Sequence, residues 1–486
     1  MANRPANAAQ LEAGKPLLKG GEVGPDDVKP IRGKGPNILM IMSDQHRADW
    51  LGCAGADWVN TPHIDSLLKE GLLFRRAICN FPLCAPSRAA LASGLRAGRA
   101  GVMGNEYIYP YNVPTYYQAL RAAGYRVGCV GKTDLHKKDH WEGENGDRPL
   151  MYHLGFTDPY ELEGKQTAAI DHGKPACPYQ HYLVKEGLFE KFSHDYNVAR
   201  KEYPRRYGAD SVLPLEAYED AFVGNHACRF LETVSDESPW HYFVSFVGPH
   251  NPWDAPKEYA DKYRNAKMPE AIADSPESKS EKFARITKRH KDMTREDLVN
   301  SMRHYAGMIT LIDDYVGRML DILEKRGMRE NTVVIYCSDH GEMMGDHGLF
   351  FKSWFYEASV RVPLLVSGPG VKARGTSDAL VELHDLAPTC LEMAQAEALG
   401  AMTAKSLVPL LRGENESTRD CQISEMRGSR MVFDGRYKMI EESAGPVELY
   451  DLEADPRELS NAVGKEPQRA ARMGRLLADI LQAEGT

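Results

Sequence analysis

No run of eighteen apolar residues occurs in this chain, so no ordinary transmembrane helix is expected. The first 35 residues are rich in Ala, Gly, Pro and Lys and hold no apolar stretch of the kind a secretory leader needs. Residues 1–35 therefore read as an N-terminal arm. Neither sign of charge dominates: 60 Lys and Arg face 69 Asp and Glu, a net charge of −9 at pH 7. That balance is wrong for a nucleic-acid or acidic-membrane surface, and neither partner is expected. Cysteine is scarce and odd in number. The nine residues, Cys53, Cys79, Cys84, Cys129, Cys177, Cys228, Cys337, Cys390 and Cys421, lack a disulfide-scaffold spacing. Cys129 and Cys337 lie within apolar runs. Free thiols in a reducing compartment are the simpler reading, and a cytoplasmic location is expected. Internal repeats and long low-complexity tracts are also missing.

The apolar content, 42% of 486 residues, suffices for a large core. Apolar strand-like runs alternate with amphipathic helical stretches, which predicts an α/β fold with a mostly parallel sheet and helices on both faces. Four runs are clearest: Asn37–Met42, Tyr125–Val130, Tyr242–Val247 and Thr332–Cys337. They end at Ser43-Asp44-Gln45, Gly131-Lys132, Gly248-Pro249-His250 and Ser338-Asp339-His340-Gly341. Every ending offers a metal- or anion-binding side chain, and open parallel sheets bind ligands outside the carboxyl ends of their strands. Helices are expected at 61–70, 115–123, 216–233, 298–326 and 385–394. The charged segment 264–294 reads as a surface excursion beside the site. After about residue 412 the texture changes: an Asp434-Gly435 hairpin, a strand at 448–452 and a terminal helix at 467–483 predict a small α+β subdomain with an antiparallel sheet. The expected organisation is an arm at 1–35, a catalytic domain at 36–412 and a C-terminal subdomain at 413–486.

The stretch Leu83-Cys84-Ala85-Pro86-Ser87-Arg88, followed by small residues, predicts a helix N-terminus. Free N–H groups there attract a tetrahedral oxyanion, and Arg88 adds a bidentate fork. Cys84 itself reads as an activated thiolate nucleophile or as a plain buried cysteine. Asp44-Gln45 and Asp339-His340, brought together, make a divalent-metal site of oxygen donors and an imidazole. Either pair alone is equally satisfied by capping a helix or turn; both beside Cys84 favour the metal. Lys132 supplies charge to an oxyanion or is a solvated loop lysine. His250, between two prolines, is a positioned donor or general acid, or a strand cap. Lys352 faces an anion or snorkels to the surface. His136 opens a polar cluster, 136–141, beyond Lys132, and His347 reads as a turn residue.

The pentapeptide Cys84-Ala85-Pro86-Ser87-Arg88 resembles the C-x-P-S-R signature of type I sulfatases, of the alkaline-phosphatase-like superfamily. The likeness runs in order through Pro36–Leu39, Thr61–Asp65, Ala123–Tyr125, Gly131-Lys132, Gly248–His250, Ser338–Glu342, Lys352, Tyr356-Glu357, Arg361–Leu364 and Leu449–Pro456. It implies an alkaline-phosphatase-like α/β/α sandwich and hydrolysis of an organic sulfate ester to alcohol and sulfate. It also implies that a maturation enzyme oxidises Cys84 to formylglycine, whose hydrate is the nucleophile. By the same resemblance Asp44, Gln45, Asp339, His340 and the modified Cys84 bind one divalent metal, and Arg88, Lys132, His250 and Lys352 surround the sulfate. Calcium is favoured and Mn²⁺ is the alternative, given the imidazole ligand and a cytoplasmic setting.

Two local departures bear on function. Gln45 stands where many relatives have a second Asp, a pattern similar to choline sulfatases and phosphonate monoester hydrolases, so a phosphonate monoester or phosphodiester hydrolase is the alternative. Asp134 stands where many relatives carry a His, and His136 is the expected substitute. A third reading is an inactive anion-binding protein that keeps Cys84 unmodified. Sugar, aryl and alkyl sulfates all remain open as small-molecule substrates, and the oligomeric state is unread.

Overall fold

A computed structural model describes residues 33–136, 143–145, 148–201, 207–273, 281–288 and 292–485. Most of the expected arm, and the polar cluster after His136, lie outside the described residues. The central layer is an eight-stranded sheet in the order Asp158–Glu161, Arg126–Gly131, Trp240–Ser245, Asn37–Ser43, Thr332–Ser338, Leu364–Ser367, Gly71–Phe74 and Gly375–Ser377. Only Leu364–Ser367 runs against its neighbours; the other pairings are parallel.

Near-continuous apolar runs form the central strands because those strands are covered on both faces. Side-chain alternation divides them cleanly. Ile38, Met40 and Met42 enter one core with Val333, Ile335 and Cys337, against the helices Cys84–Ser93, Tyr116–Ala122 and Leu386–Met393. Leu39, Ile41, Val334 and Tyr336 enter the other, against the helices Glu219–Thr233 and Arg295–Lys325.

Helix boundaries shift where capping decides them. The long helix begins at Arg295 rather than 298, because Thr294 and Asp297 form a capping box. The stretch expected as one helix over 61–70 splits into the helix Pro62–Ser66 and the 3₁₀ turn Leu67–Glu70. In the excursion, Ile272 is tied to the 345–348 loop. Its N–H donates to Asp346 Oδ1 at 2.8 Å, and its carbonyl accepts from the His347 N–H at 2.7 Å.

The C-terminal part holds a four-stranded antiparallel sheet, Gln422–Met426, Ser429–Phe433, Tyr437–Glu442 and Gly445–Asp451. The hairpin turn forms at Asp434-Gly435, with Asp434 Oδ1 accepting from the Arg436 and Tyr437 N–H groups and Gly435 at φ +96°. Alternation again sorts the sheet. Met431, Ile440 and Tyr450 face the main core, while Val432, Met439 and Leu449 meet Ala470, Met473, Leu477 and Leu481 of the helix Pro467–Glu484.

Leu477→Ala is expected to cost about 2–5 kcal/mol by opening a cavity between that helix and its sheet. Val184→Ala, on an exposed face, is expected to stay within about 0.5 kcal/mol. Thermal midpoints of the two variants check the contrast.

Candidate active site

Strand register brings the predicted residues together. Ser43 pairs with Ser338, Met42 with Ser245, and Ser245 with Gly131. The next residues, Asp44, Asp339, Phe246 and Lys132, therefore leave the sheet at one level. Cys84 opens the helix Cys84–Ser93 over this edge. Every residue of that helix is buried, and Ala89, Ala90 and Ala92 let its backbone approach the sheet closely.

The ligand atoms of Asp44, Cys84, Asp339 and His340 lie within 4.8 Å of one another, and all four residues are buried. Cys84 Sγ is 3.2 Å from His340 Nε2 and 3.8 Å from Asp44 Oδ1. His340 Nδ1 donates to the Gly341 carbonyl at 2.9 Å, which turns Nε2 into the cluster. Asp339 Oδ1 accepts from the N–H groups of Gln45 at 3.0 Å and His340 at 2.9 Å.

Arg88 locks this arrangement. Its Nε donates to Asp339 Oδ2 at 2.8 Å, Nη2 to Asp44 Oδ2 at 3.1 Å, and Nη1 to Ser245 Oγ at 2.8 Å and to the Lys132 carbonyl. Lys132 Nζ donates to Asp44 Oδ2 and lies 3.2 Å from Asp134 Oδ2. Ser87 Oγ donates to the Asp339 carbonyl at 2.6 Å. Burial opposes the charge of Asp44, but Lys132 and Arg88 hold its carboxyl well below the usual range. Asp339 moves the other way, raised by burial and by Asp44 beside it. Burial and Asp44 also oppose ionisation of the Cys84 thiol, yet Lys132, Lys352 and His340 bring it down to about 5.

His250 and Lys352 form a second pair. His250 Nδ1 donates to the Asn251 carbonyl, and Nε2 accepts from Lys352 Nζ. Burial and the Lys352 charge push the His250 imidazole well below its ordinary pKa, so it sits neutral. Lys352 Nζ also donates to Gln45 Oε1 at 2.5 Å. Lys132, His250 and Lys352 line a cavity of about 530 Å³ with Asn105, Gln166, Asn251 and Phe351.

One expectation changes. His136 does not join the cluster: its Nε2 pairs with Glu161, at the end of the neighbouring strand, which also lies 3.3 Å from Arg148 Nε. Asp134 holds the position beside Lys132 instead. Gln45 borders the cluster: its N–H donates to Asp339, and its side chain is held by Lys352, Asn251 and Glu342. Among residues that motif reading passed over are Ser245, Asn251 and Glu342, and Asn105, whose Oδ1 accepts from the Ala85 N–H at 3.0 Å. A structural signal does point to this region. Gln45, Asp134, Met344, His347, Phe351 and Ser353 are non-glycine residues with φ between +44° and +72°, in the loops around or beside the site.

A family model described as Sulfatase matches residues 36–396. The chain belongs to the sulfatase family. Sulfatases of this kind have the alkaline-phosphatase-like fold, and membership makes the protein a sulfuric ester hydrolase. A second model, N-sulphoglucosamine sulphohydrolase, C-terminal, matches residues 345–483. An arylsulfatase of Clostridium perfringens is 30% identical over 455 residues, 89% of this chain and 91% of the relative. A choline-sulfatase of Rhizobium meliloti is 30% identical over 447 residues, covering 88% and 82%. The solved phosphonate monoester hydrolase of Agrobacterium radiobacter matches with a TM-score of 0.75 at 25% identity, over 92% of this sulfatase and 96% of that chain.

Asp44→Ala removes one buried carboxylate and leaves Lys132 with Asp134 as its carboxylate partner. We expect the purified variant to hold far less divalent metal than the wild type, which elemental analysis after equal loading would check.

Proposed function

We propose that this sulfatase hydrolyses a small-molecule sulfate ester, using formylglycine generated at position 84 and one divalent cation. The convergence of Cys84, Asp44, Asp339 and His340 under the Arg88 guanidinium carries the reading. Two buried carboxylates and an imidazole nitrogen facing one point form a donor set suited to a cation, with Ca²⁺ first and Mn²⁺ as the alternative. Such a cation would supply Lewis-acid neutralisation of the ester's negative charge. The Gln45 carboxamide oxygen is the further ligand we assign. As formylglycine hydrate, position 84 would supply two geminal hydroxyls, one to displace the alcohol from sulfur and one to release sulfate by C–O cleavage.

The remaining roles belong to the chain's own side chains. Arg88 and Lys132 fix Asp44 and add positive charge beside the nucleophile. Asp339, with its carboxyl raised, accepts the proton that the attacking hydroxyl loses. Lys352 and neutral His250 hold one proton between Nζ and Nε2, and this pair offers it to the departing alkoxide. His250 thus acts with Lys352 rather than as a free imidazolium. Cavity side chains such as Asn105, Gln166 and Asn251 orient the alcohol portion.

The assigned organisation is a catalytic domain over 36–412 and a C-terminal subdomain over 413–486. All nine cysteines are free, and among the described residues no helix is long and apolar enough to cross a membrane. The free thiols support a reducing, cytoplasmic setting and maturation by an enzyme acting there. Gln45 and the likeness to phosphonate monoester hydrolase support one second reading, a phosphonate monoester or phosphodiester hydrolase with the same nucleophile.

Matched aryl sulfate, phosphodiester and phosphonate esters separate the two by kcat/KM. A clear preference for sulfate is expected, and sulfate turnover far behind the others would reverse the assignment. Cys84→Ala is expected to abolish turnover with the thermal midpoint within a few degrees of wild type. Peptide mass spectrometry of active wild-type enzyme should find the aldehyde at position 84, and an active enzyme carrying only the thiol would refute the nucleophile.

A further inference from the structure

Gln45 carries a side chain whose two ends are chemically opposite but nearly the same size. Only its oxygen can ligate a cation; its NH₂ would repel one. The surroundings decide which end faces which way. Nε2 donates to Glu342 Oε2 and, at 3.2 Å, to Asn251 Oδ1, whereas Oε1 accepts from Lys352 Nζ at 2.5 Å. A flipped amide would set its oxygen against a carboxylate and its NH₂ against an ammonium. Charge on both sides therefore enforces one orientation.

Glu342 is built into this position. It is fully buried, and its other oxygen accepts from the Met344 N–H at 2.8 Å and the Phe351 N–H at 2.6 Å. Both residues have positive φ, +44° and +67°. One carboxylate thus holds Gln45 from one side and closes the base of the loop that carries Lys352. Arg47, whose Nη1 reaches the Glu342 carbonyl at 3.3 Å, braces the same turn.

We propose that Glu342 is a positioning residue. It keeps the Gln45 carboxamide oxygen on the Lys352 side of the site, available to the metal, and so sets the site's affinity for a divalent cation. This rests on the metal-site reading above. It also accounts for glutamine at position 45, since a carboxylate there would face that of Glu342 in a buried setting, where like charges are costly.

The test is calorimetric titration of metal-depleted protein with Ca²⁺ and with Mn²⁺. Glu342→Gln keeps the bonds to the Met344 and Phe351 N–H groups but puts an NH₂ against that of Gln45. We expect roughly 10–100-fold weaker binding, the range typical for residues that orient metal ligands. The thermal midpoint of the metal-free protein should barely move. Adding Gln45→Glu to Glu342→Gln exchanges the two groups, restores an oxygen toward the cation and should recover most of the affinity. Asn251→Leu removes the other acceptor without touching the loop and should weaken binding in the same direction, even if Glu342→Gln proves too unstable to purify. Wild-type affinity in both single variants, or a double variant no tighter than Glu342→Gln, would overturn the proposal. Asp44→Ala separates the levels. If it abolishes binding while Glu342→Gln does not change it, only the positioning role fails; if it leaves binding intact, the metal-site reading fails too.

Discussion

A single guanidinium holds the ends of four strands together. Arg88 reaches Asp44 after Asn37–Ser43, the Lys132 carbonyl after Arg126–Gly131, Ser245 at the end of Trp240–Ser245, and Asp339 after Thr332–Ser338. The planar fork lets one side chain satisfy two carboxylates, a hydroxyl and a carbonyl at once, which an ammonium on a flexible stem cannot do. Asp44 and Asp339 would otherwise repel each other in a buried space where water cannot screen them. Removing one partner from such a network typically costs about 3–5 kcal/mol, because the remaining charges stay buried. The small residues after Arg88 matter for the same reason: a helix of larger side chains could not bring the guanidinium down to the sheet edge.

That lock divides the cations. Arg88 makes four hydrogen bonds to protein groups, and Lys132 is shared between Asp44 and Asp134. Lys352 and His250 line the cavity together with Lys132 and bond to each other. The inner pair fixes the geometry of the acidic cluster. The outer pair faces the cavity. Burial strengthens both, since every charge–charge term grows as the local dielectric falls.

The central architecture was legible in the sequence because strands covered on both faces must be apolar throughout, and parallel strands must place their ends on one edge. Asn37–Met42, Tyr125–Val130, Tyr242–Val247 and Thr332–Cys337 announce themselves in this way, and Asp44, Lys132, His250 and Asp339 follow from where those runs stop. Leu364–Ser367 and Gly71–Phe74 were not read as strands, since four residues carry too little periodicity. His136 went wrong for a related reason. Spacing shows that a loop follows Lys132 but not where it turns, and Glu161 on the adjacent strand captures the imidazole. Glu342, Asn251, Ser245 and Asn105 are isolated polar residues with no pattern of their own; only contacts reveal what they hold. Resemblance placed Glu342 inside a matched segment without saying what it touches.

The loop carrying Lys352 explains why the C-terminal sheet packs where it does. Met344, His347, Phe351 and Ser353 occupy left-handed backbone regions that non-glycine residues hold only when their surroundings over-determine them. Glu342 pins the base of this loop, and the Ser353 N–H donates to the Pro82 carbonyl at 2.9 Å, two residues before Cys84. Beyond it the C-terminal strands take over. Lys438 donates to the Phe355 carbonyl at 3.0 Å and to Glu458 at 2.7 Å, and Glu448 accepts from the Tyr356 and Tyr450 hydroxyls at 3.0 and 2.7 Å. Tyr356 in turn stacks on His347, with ring centroids 4.4 Å apart. A lysine that must meet both His250 and Gln45 tolerates little movement, and a strained loop on its own would relax. The antiparallel sheet supplies the rigid backing that keeps Lys352 in place.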